Sequence, residues 1–241
     1  MRKPVVAGAV MLSVLAAVRA PAQPSFTATL QTSDGVRLAA TVYPPARRPA
    51  PAVILVHMLT RNRGDWQVLA SRLSAAGIGA IAIDLRGHGG SGSTPDGSAK
   101  TSEDLSRSVR DVTAAREFLR SRPDLFTDRI GIAGASVGAN LAVLAAQNDE
   151  SVRSLVLLSP GLDYRGLRIE QALVKYGPRP ALIVVSQEDP YSFRSARRLA
   201  ASGSGIREMR VVLEECHGTV MLERERGLTE ALVDWFRRTL I

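Results

Sequence analysis

The chain alternates between short, unbroken apolar runs and longer stretches with apolar residues at steps of three and four. The runs Ala52–Val56, Gly79–Ile83, Ile130–Ala133, Val152–Leu158 and Ala181–Val185 carry almost no polar residue. Continuity of this kind predicts strands buried on both faces, as in a parallel sheet. Between them, Leu105, Val109, Val112, Ala115 and Leu119 recur at helical spacing, and Leu228, Leu232, Phe236 and Leu240 fall four apart. Further helices are expected over about Asp65–Ala76, closed by Gly77, over Ala139–Gln147, a short one over Leu167–Tyr176, and Phe193–Ala201. A Thr101/Asp104 capping pair opens the Leu105 helix and Pro123 stops it. Upstream, Phe26–Leu30 and Val36–Tyr43 alternate like half-buried strands, with a hairpin signal at Ser33-Asp34-Gly35. Pro44, Pro45, Pro49 and Pro51 read as a stiff connector, and Arg210–Leu213 as the last strand. Strands alternating with helices predict one α/β domain over 23–241. Its sheet is mostly parallel and doubly wound, with helices on both faces.

Composition changes this picture little. The 241 residues are 45% hydrophobic and 22% charged, enough to build a single sizeable core. The formal charge is +8, of which Arg2, Lys3 and Arg19 supply three, leaving +5 for the remainder. The positive residues are scattered over helix faces without aromatic interleaving, which reads as a solvated surface and not a nucleic-acid site. Residues 1–22 read as an export signal. Arg2-Lys3 is its basic start, Val5–Val18 its apolar stretch, and Ala20-Pro21-Ala22 a small-x-small cleavage site before Gln23. The apolar stretch is shorter than the ~20 residues a spanning helix needs. The expected location is periplasmic or secreted, with no stable membrane insertion after cleavage. The single Cys216 cannot form an intrachain disulfide.

Ligands of doubly wound sheets sit beyond the carboxyl ends of the strands. His57, Asp84, Ser136, Ser159, Asp189 and His217 all fall there. Ser136 lies at the apex of Gly134-Ala135-Ser136-Val137-Gly138, between an apolar strand and an Ala/Leu-rich helix. A strand, tight turn and helix around Gly-x-Ser-x-Gly form a nucleophile elbow, with the Val137 amide at the helix start ready for a developing oxyanion. A serine nucleophile needs a base, and the base a partner that fixes its tautomer. Of the three histidines only His217 follows Ser136. Asp189, stiffened by Pro190, is the preferred acid, with Glu188 and then Asp163 as alternatives. His57 reads as a structural brace, Asp84 and Arg86 as a pair holding their loop, His88 as a packing residue and Cys216 as a small buried filler. No metal-ligand spacing or phosphate-cradling glycine motif occurs.

The order Ser136, Asp189, His217 and the Asp84-Leu85-Arg86-Gly87-His88-Gly89 segment resemble the α/β-hydrolase superfamily over about residues 26–241. The small dienelactone-hydrolase-like and serine-aminopeptidase-like members are the most similar. The resemblance implies the α/β-hydrolase fold, with Ser136 as nucleophile, His217 as base and Asp189 as orienting acid. It also implies an oxyanion hole made by the Val137 amide and an amide just after His57. Many relatives carry His-Gly at that point; this chain has His57-Met58, so the second donor is Leu59 or Met58, with Leu59 preferred. The implied activity is cleavage of small carboxylic esters through an acyl-enzyme, without a cofactor. A serine peptidase for short peptides and a non-catalytic hydrolase-fold binding protein are the alternatives. The connection Ser159–Pro180 is too short for a lid with its own core.

Overall fold

The computed structural model describes residues 24–92 and 102–241. The export signal at 1–22 and the Thr101 end of the capping pair lie outside the described residues. Eight strands form one sheet: β1 (Phe26–Gln31), β2 (Arg37–Tyr43), β3 (Ala50–Val56), β4 (Gly79–Ile83), β5 (Leu125–Ala135), β6 (Val152–Leu158), β9 (Ala181–Ser186) and β10 (Arg207–Val212). Their order across the sheet is β1-β2-β4-β3-β5-β6-β9-β10. The β1/β2 and β2/β4 contacts are antiparallel and the others parallel. β7 (Asp163–Tyr164) and β8 (Leu167–Arg168) make a small separate hairpin.

The apolar runs occupy the centre, as their pattern predicts. Every residue of β3, β4 and β9 is buried, because the sheet is covered on both faces. On one face lie α1 (Gln67–Ala75) and α7 (Leu228–Leu240) with Trp66, Leu69, Leu73, Leu232, Trp235 and Phe236. On the other lie α3 (Val109–Arg120), α4 (Val137–Ala146), α5 (Glu170–Tyr176) and α6 (Pro190–Ala200). β2, next to the edge strand β1, alternates buried with exposed or part-exposed residues along most of its length, as a half-covered strand does.

The last strand starts three residues before the expected Arg210 and the elbow strand five before Ile130; three elements differ more from the sequence reading. β3 starts at Ala50, inside the expected proline connector. Its pairing to β5 shifts register between Ala50 and Ala52, so Pro51, which has no N–H to give, sits where the ladder is interrupted. The Leu105 helix divides at Ser108 into α2 (Ser102–Arg107) and α3. Finally, the connection after β6 folds as the β7/β8 hairpin before α5. Its loop residues Arg165 and Gly166 both have positive φ, +50° and +91°, as a two-residue hairpin loop requires.

Candidate active site

The carboxyl ends of β5, β9 and β10 bring three side chains to one edge of the sheet. Ser136 follows β5 with φ +52° and ψ −119°, a strained backbone for a residue with a side chain. The turn is that tight because neighbouring backbone packs into it. A Cβ on Gly134 would lie 2.2 Å from the Gly138 carbonyl oxygen, and one on Gly138 would lie 2.4 Å from that of Val56. The Ser136 amide is spent on the Leu158 carbonyl at 2.8 Å. Its side chain makes no capping bond to α4, so the Val137 amide stands at the positive end of that helix.

Asp189 and His217 form a pair, with His217 Nδ1 and Asp189 Oδ2 2.6 Å apart. Asp189 also caps α6, its Oδ1 accepting from the Ser192 amide at 3.1 Å. Burial alone would raise the Asp189 pKa, but the hydrogen bonds from His217 and Ser192 outweigh it and hold the carboxyl below its ordinary range. The alternative acids are engaged elsewhere. Asp163 holds the Gly166 amide at 2.6 Å and Arg168 at 2.9 Å, and Glu188 meets the Gln187 amide.

The histidine loop is seated against the elbow. The Gly218 amide donates to Ser159 Oγ at 3.0 Å. The position of a Gly218 Cβ lies 3.5 Å from Ala135 Cβ and only 2.5 Å from Met58 Sδ. Thr219 donates to Asp65, which also receives Arg61 Nε at 2.8 Å. Asp65 thus ties the loop after β3 to the loop that carries His217.

His57 is fully buried and braces the loop after β3. Its Nδ1 donates to the Met58 carbonyl at 2.7 Å and its Nε2 accepts from the Leu85 amide at 3.0 Å, a pattern that requires the neutral ring. A trans peptide plane sets Leu59 N–H opposite the Met58 carbonyl, hence away from the His57 ring. Thr60 follows with φ +63°. Desolvation pushes the His57 pKa down to about 4 from 6.5. The unfolded chain therefore binds a proton between those values that the folded protein refuses. Stability from His57 is complete above pH 6.5 and is lost as pH falls to 4, about 3 kcal/mol in all. Urea midpoints measured from pH 7 to 4 are expected to fall steeply for the parent. They should fall less steeply for His57→Gln, which starts lower; parallel slopes would contradict this.

Asp84 and Arg86, expected to pair with each other, do not. Asp84 receives the Arg63 amide at 2.7 Å, the Arg63 guanidinium and the Gly90 amide at 2.8 Å. Arg86 turns to the opposite side, onto Asp111 of α3 at 2.7 Å and Asp34 at 2.8 Å. The buried Asp111 also accepts the Arg86 amide at 2.9 Å, so it satisfies that residue's backbone and side chain together. Cys216 is buried, as a filler would be, with its thiol on the Glu214 carbonyl. His88 Nδ1 donates to the Arg86 carbonyl at 3.0 Å.

Three residues near the site escaped the sequence reading. Tyr164 of β7 reaches Ser192 Oγ at 3.1 Å and donates to the Ser159 carbonyl at 3.3 Å. Asn140 of α4 and Tyr191 of α6 hold the hairpin that carries Tyr164. The one cue in the sequence was Gly166, preceded by a polar residue between two short strands.

Comparison with known proteins agrees with this architecture. The family model described as serine aminopeptidase, S33 (Hydrolase_4), matches residues 47–211, so His217 lies beyond its end. An uncharacterized protein of Mycobacterium tuberculosis is 28% identical over 232 residues, covering 85% of this chain and 79% of its own. Carboxymethylenebutenolidase of Pseudomonas putida is 24% identical over 187 residues, covering 73% of this chain and 77% of its own. The dienelactone hydrolase structure from Anabaena variabilis superposes with a TM-score of 0.73 at 19% identity, covering 90% of this chain and 99% of that one. With the elbow, the sheet order and a family model spanning more than half its length, the chain belongs to the serine aminopeptidase (S33) Hydrolase_4 family of α/β hydrolases.

Proposed function

We propose that the protein is a serine esterase for small carboxylic esters. Ser136 Oγ attacks the ester carbonyl while His217 takes its proton, and Asp189 holds the ring so that Nε2 faces the serine. The Val137 and Leu59 amides receive the oxyanion; the orientation of the Met58–Leu59 peptide favours Leu59 over Met58. The alcohol leaves, and water activated by the same histidine releases the acid. The observation that carries the reading is the 2.6 Å Asp189–His217 bond on a loop packed against the elbow of Ser136. The named relatives, a dienelactone hydrolase and a carboxymethylenebutenolidase, support ester chemistry.

The experiment is kcat/KM on p-nitrophenyl esters of increasing acyl length, alongside fluorophosphonate labelling. A hydrogen-bonded hairpin and one short helix fill the 159–180 connection, so among the described residues no separate lid offers a tunnel in which to bury methylenes at ~0.8 kcal/mol each. Selectivity is expected to peak at short chains. A steady rise through long chains would sink the lidless reading, and absence of labelling would leave a binding protein. The family description favours one second reading, cleavage at the amino terminus of short peptides. Aminoacyl-p-nitroanilides turned over faster than esters would establish it.

A further inference from the structure

β10 ends the sheet: β9 is its neighbour on one side, and among the described residues no strand lies on the other. In an extended strand each residue points its N–H and C=O to the same side, and successive residues alternate. The Ile206 carbonyl accepts the Ala181 amide and the Val212 carbonyl the Gln187 amide, each at 3.0 Å. Ile206, Glu208, Arg210 and Val212 therefore bond toward β9, while Arg207, Met209 and Val211 turn their backbone groups outward. The side chains alternate as well. Met209 joins the core on the α6 side, as do Phe193 and Ala200 of α6 itself, all three only partly buried. Glu208 and Arg210 face the α7 side, where Arg238 comes to 3.4 Å from Glu208 and Glu225 to 3.1 Å from Arg210. The Arg207 guanidinium turns back onto the Gly177 and Arg179 carbonyls, each at 2.6 Å. Ile206, Val211 and Leu213, in or beside the strand, are exposed apolar residues. An open edge of this kind takes up further strands unless charge or proline blunts it. Here the two charges that remain on it, Glu208 and Arg210, are opposite in sign and flank the outward-turned Met209 symmetrically.

We propose that β10 is the interface for a second copy of this chain, the two strands pairing antiparallel about a two-fold axis through Met209. In that register Met209 lies opposite the partner's Met209, and Arg207 opposite the partner's Val211. These are the residues whose backbone groups turn outward, so each opposing pair exchanges both of its N–H···O bonds. Glu208 then lies opposite the partner's Arg210, and Arg210 opposite the partner's Glu208, at the closer spacing of pairs that share no hydrogen bond. Charge selects this register. Moving the axis one residue back sets Glu208 against the partner's Glu208, and one residue forward sets Arg210 against the partner's Arg210; both are repulsive. A contact between identical patches needs such self-complementarity, and it closes after two copies. The opposite edge strand, β1, carries no charged residue that could select a register. The pairing joins two eight-stranded sheets into one and brings the exposed Val211 and Ile206 against the partner's strand.

The test is sedimentation velocity of the purified protein over a concentration series, with thermal midpoints measured at the dilute end. The parent is expected to move from the mass of one chain to that of two as concentration rises. Glu208→Arg and Arg210→Glu each set like charges opposite one another twice across the axis, and each is expected to weaken association by roughly tenfold or more. The two changes combined restore opposite charges and should return the dissociation constant to within about threefold of the parent's. Each change also loses an intramolecular partner, Arg238 or Glu225, but those pairs are solvent-exposed and contribute little to folding. Val211→Pro removes one outward N–H and none of the bonds to β9, as an edge strand tolerates. It should stay monomeric while keeping the parent's midpoint at dilution. A parent that remains monomeric throughout the series overturns the proposal. So do single variants that associate as the parent does, a double variant no tighter than the singles, or a dimer that survives Val211→Pro.

Discussion

Ser136→Ala is expected to lower kcat by roughly a millionfold, leaving a residue of ~10³-fold over water from the oxyanion amides and binding. The substitution should cost little stability. The Ser136 hydroxyl makes no capping bond to α4, and its backbone amide, which anchors the turn to Leu158, is untouched. Alanine accepts the same φ of +52° no worse than serine does. Turnover of an activated ester and a urea midpoint, measured on one preparation, check both halves. Near-full activity in the variant would place the nucleophile elsewhere.

Asp189→Asn is expected to lower kcat by about 10⁴-fold, and Glu188→Gln to leave it nearly unchanged. The amide can keep its 2.6 Å contact to His217 Nδ1 by donating to it. The ring must then carry its proton on Nε2, where it can no longer accept the one from Ser136. Asparagine is as good an N-cap as aspartate, so α6 and its Ser192 contact persist and folding is not the cause of the loss. Glu188 has its side chain on Gln187, outside the histidine pair. The two variants are compared by kcat and by thermal midpoint; the reverse ranking would transfer the acid to Glu188.

What could be read from the sequence divides by the range of the interaction. The buried strands were legible because Ala52–Val56 or Ala181–Val185 can be nothing but interior in a chain of this length. The elbow was legible because Gly134 and Gly138 act on backbone a few residues away or on a strand already recognised. The β7/β8 hairpin was not, because two-residue strands have no periodicity to detect, and with it Tyr164 was missed. The partners of Arg86 were misread for another reason. Asp34 and Asp111 lie 52 and 25 residues away, and only the assembled sheet, which places the β1/β2 turn and α3 beside Arg86, brings them near. Among the acids, Asp189, Glu188 and Asp163 share a chemistry; what separates them is which carboxylate meets the His217 ring, and that is a matter of loop geometry alone.

The fastening of the 159–168 segment has a consequence for how this protein can be remodelled. Asn140 and Tyr191 grip the hairpin at its base, through Gly161, Leu167 and Asp163, while Arg165 and Gly166 at its tip are exposed. Exposed loop tips accept inserted chain, and lengthening a loop costs only about 0.6 kcal/mol per doubling. An added helical cap grafted between Arg165 and Gly166 would grow outward from a fixed root, leaving the elbow and the Asp189–His217 pair where they stand. The short hairpin is thus a ready attachment point for a designed roof, through which a preference for longer acyl chains could be built in.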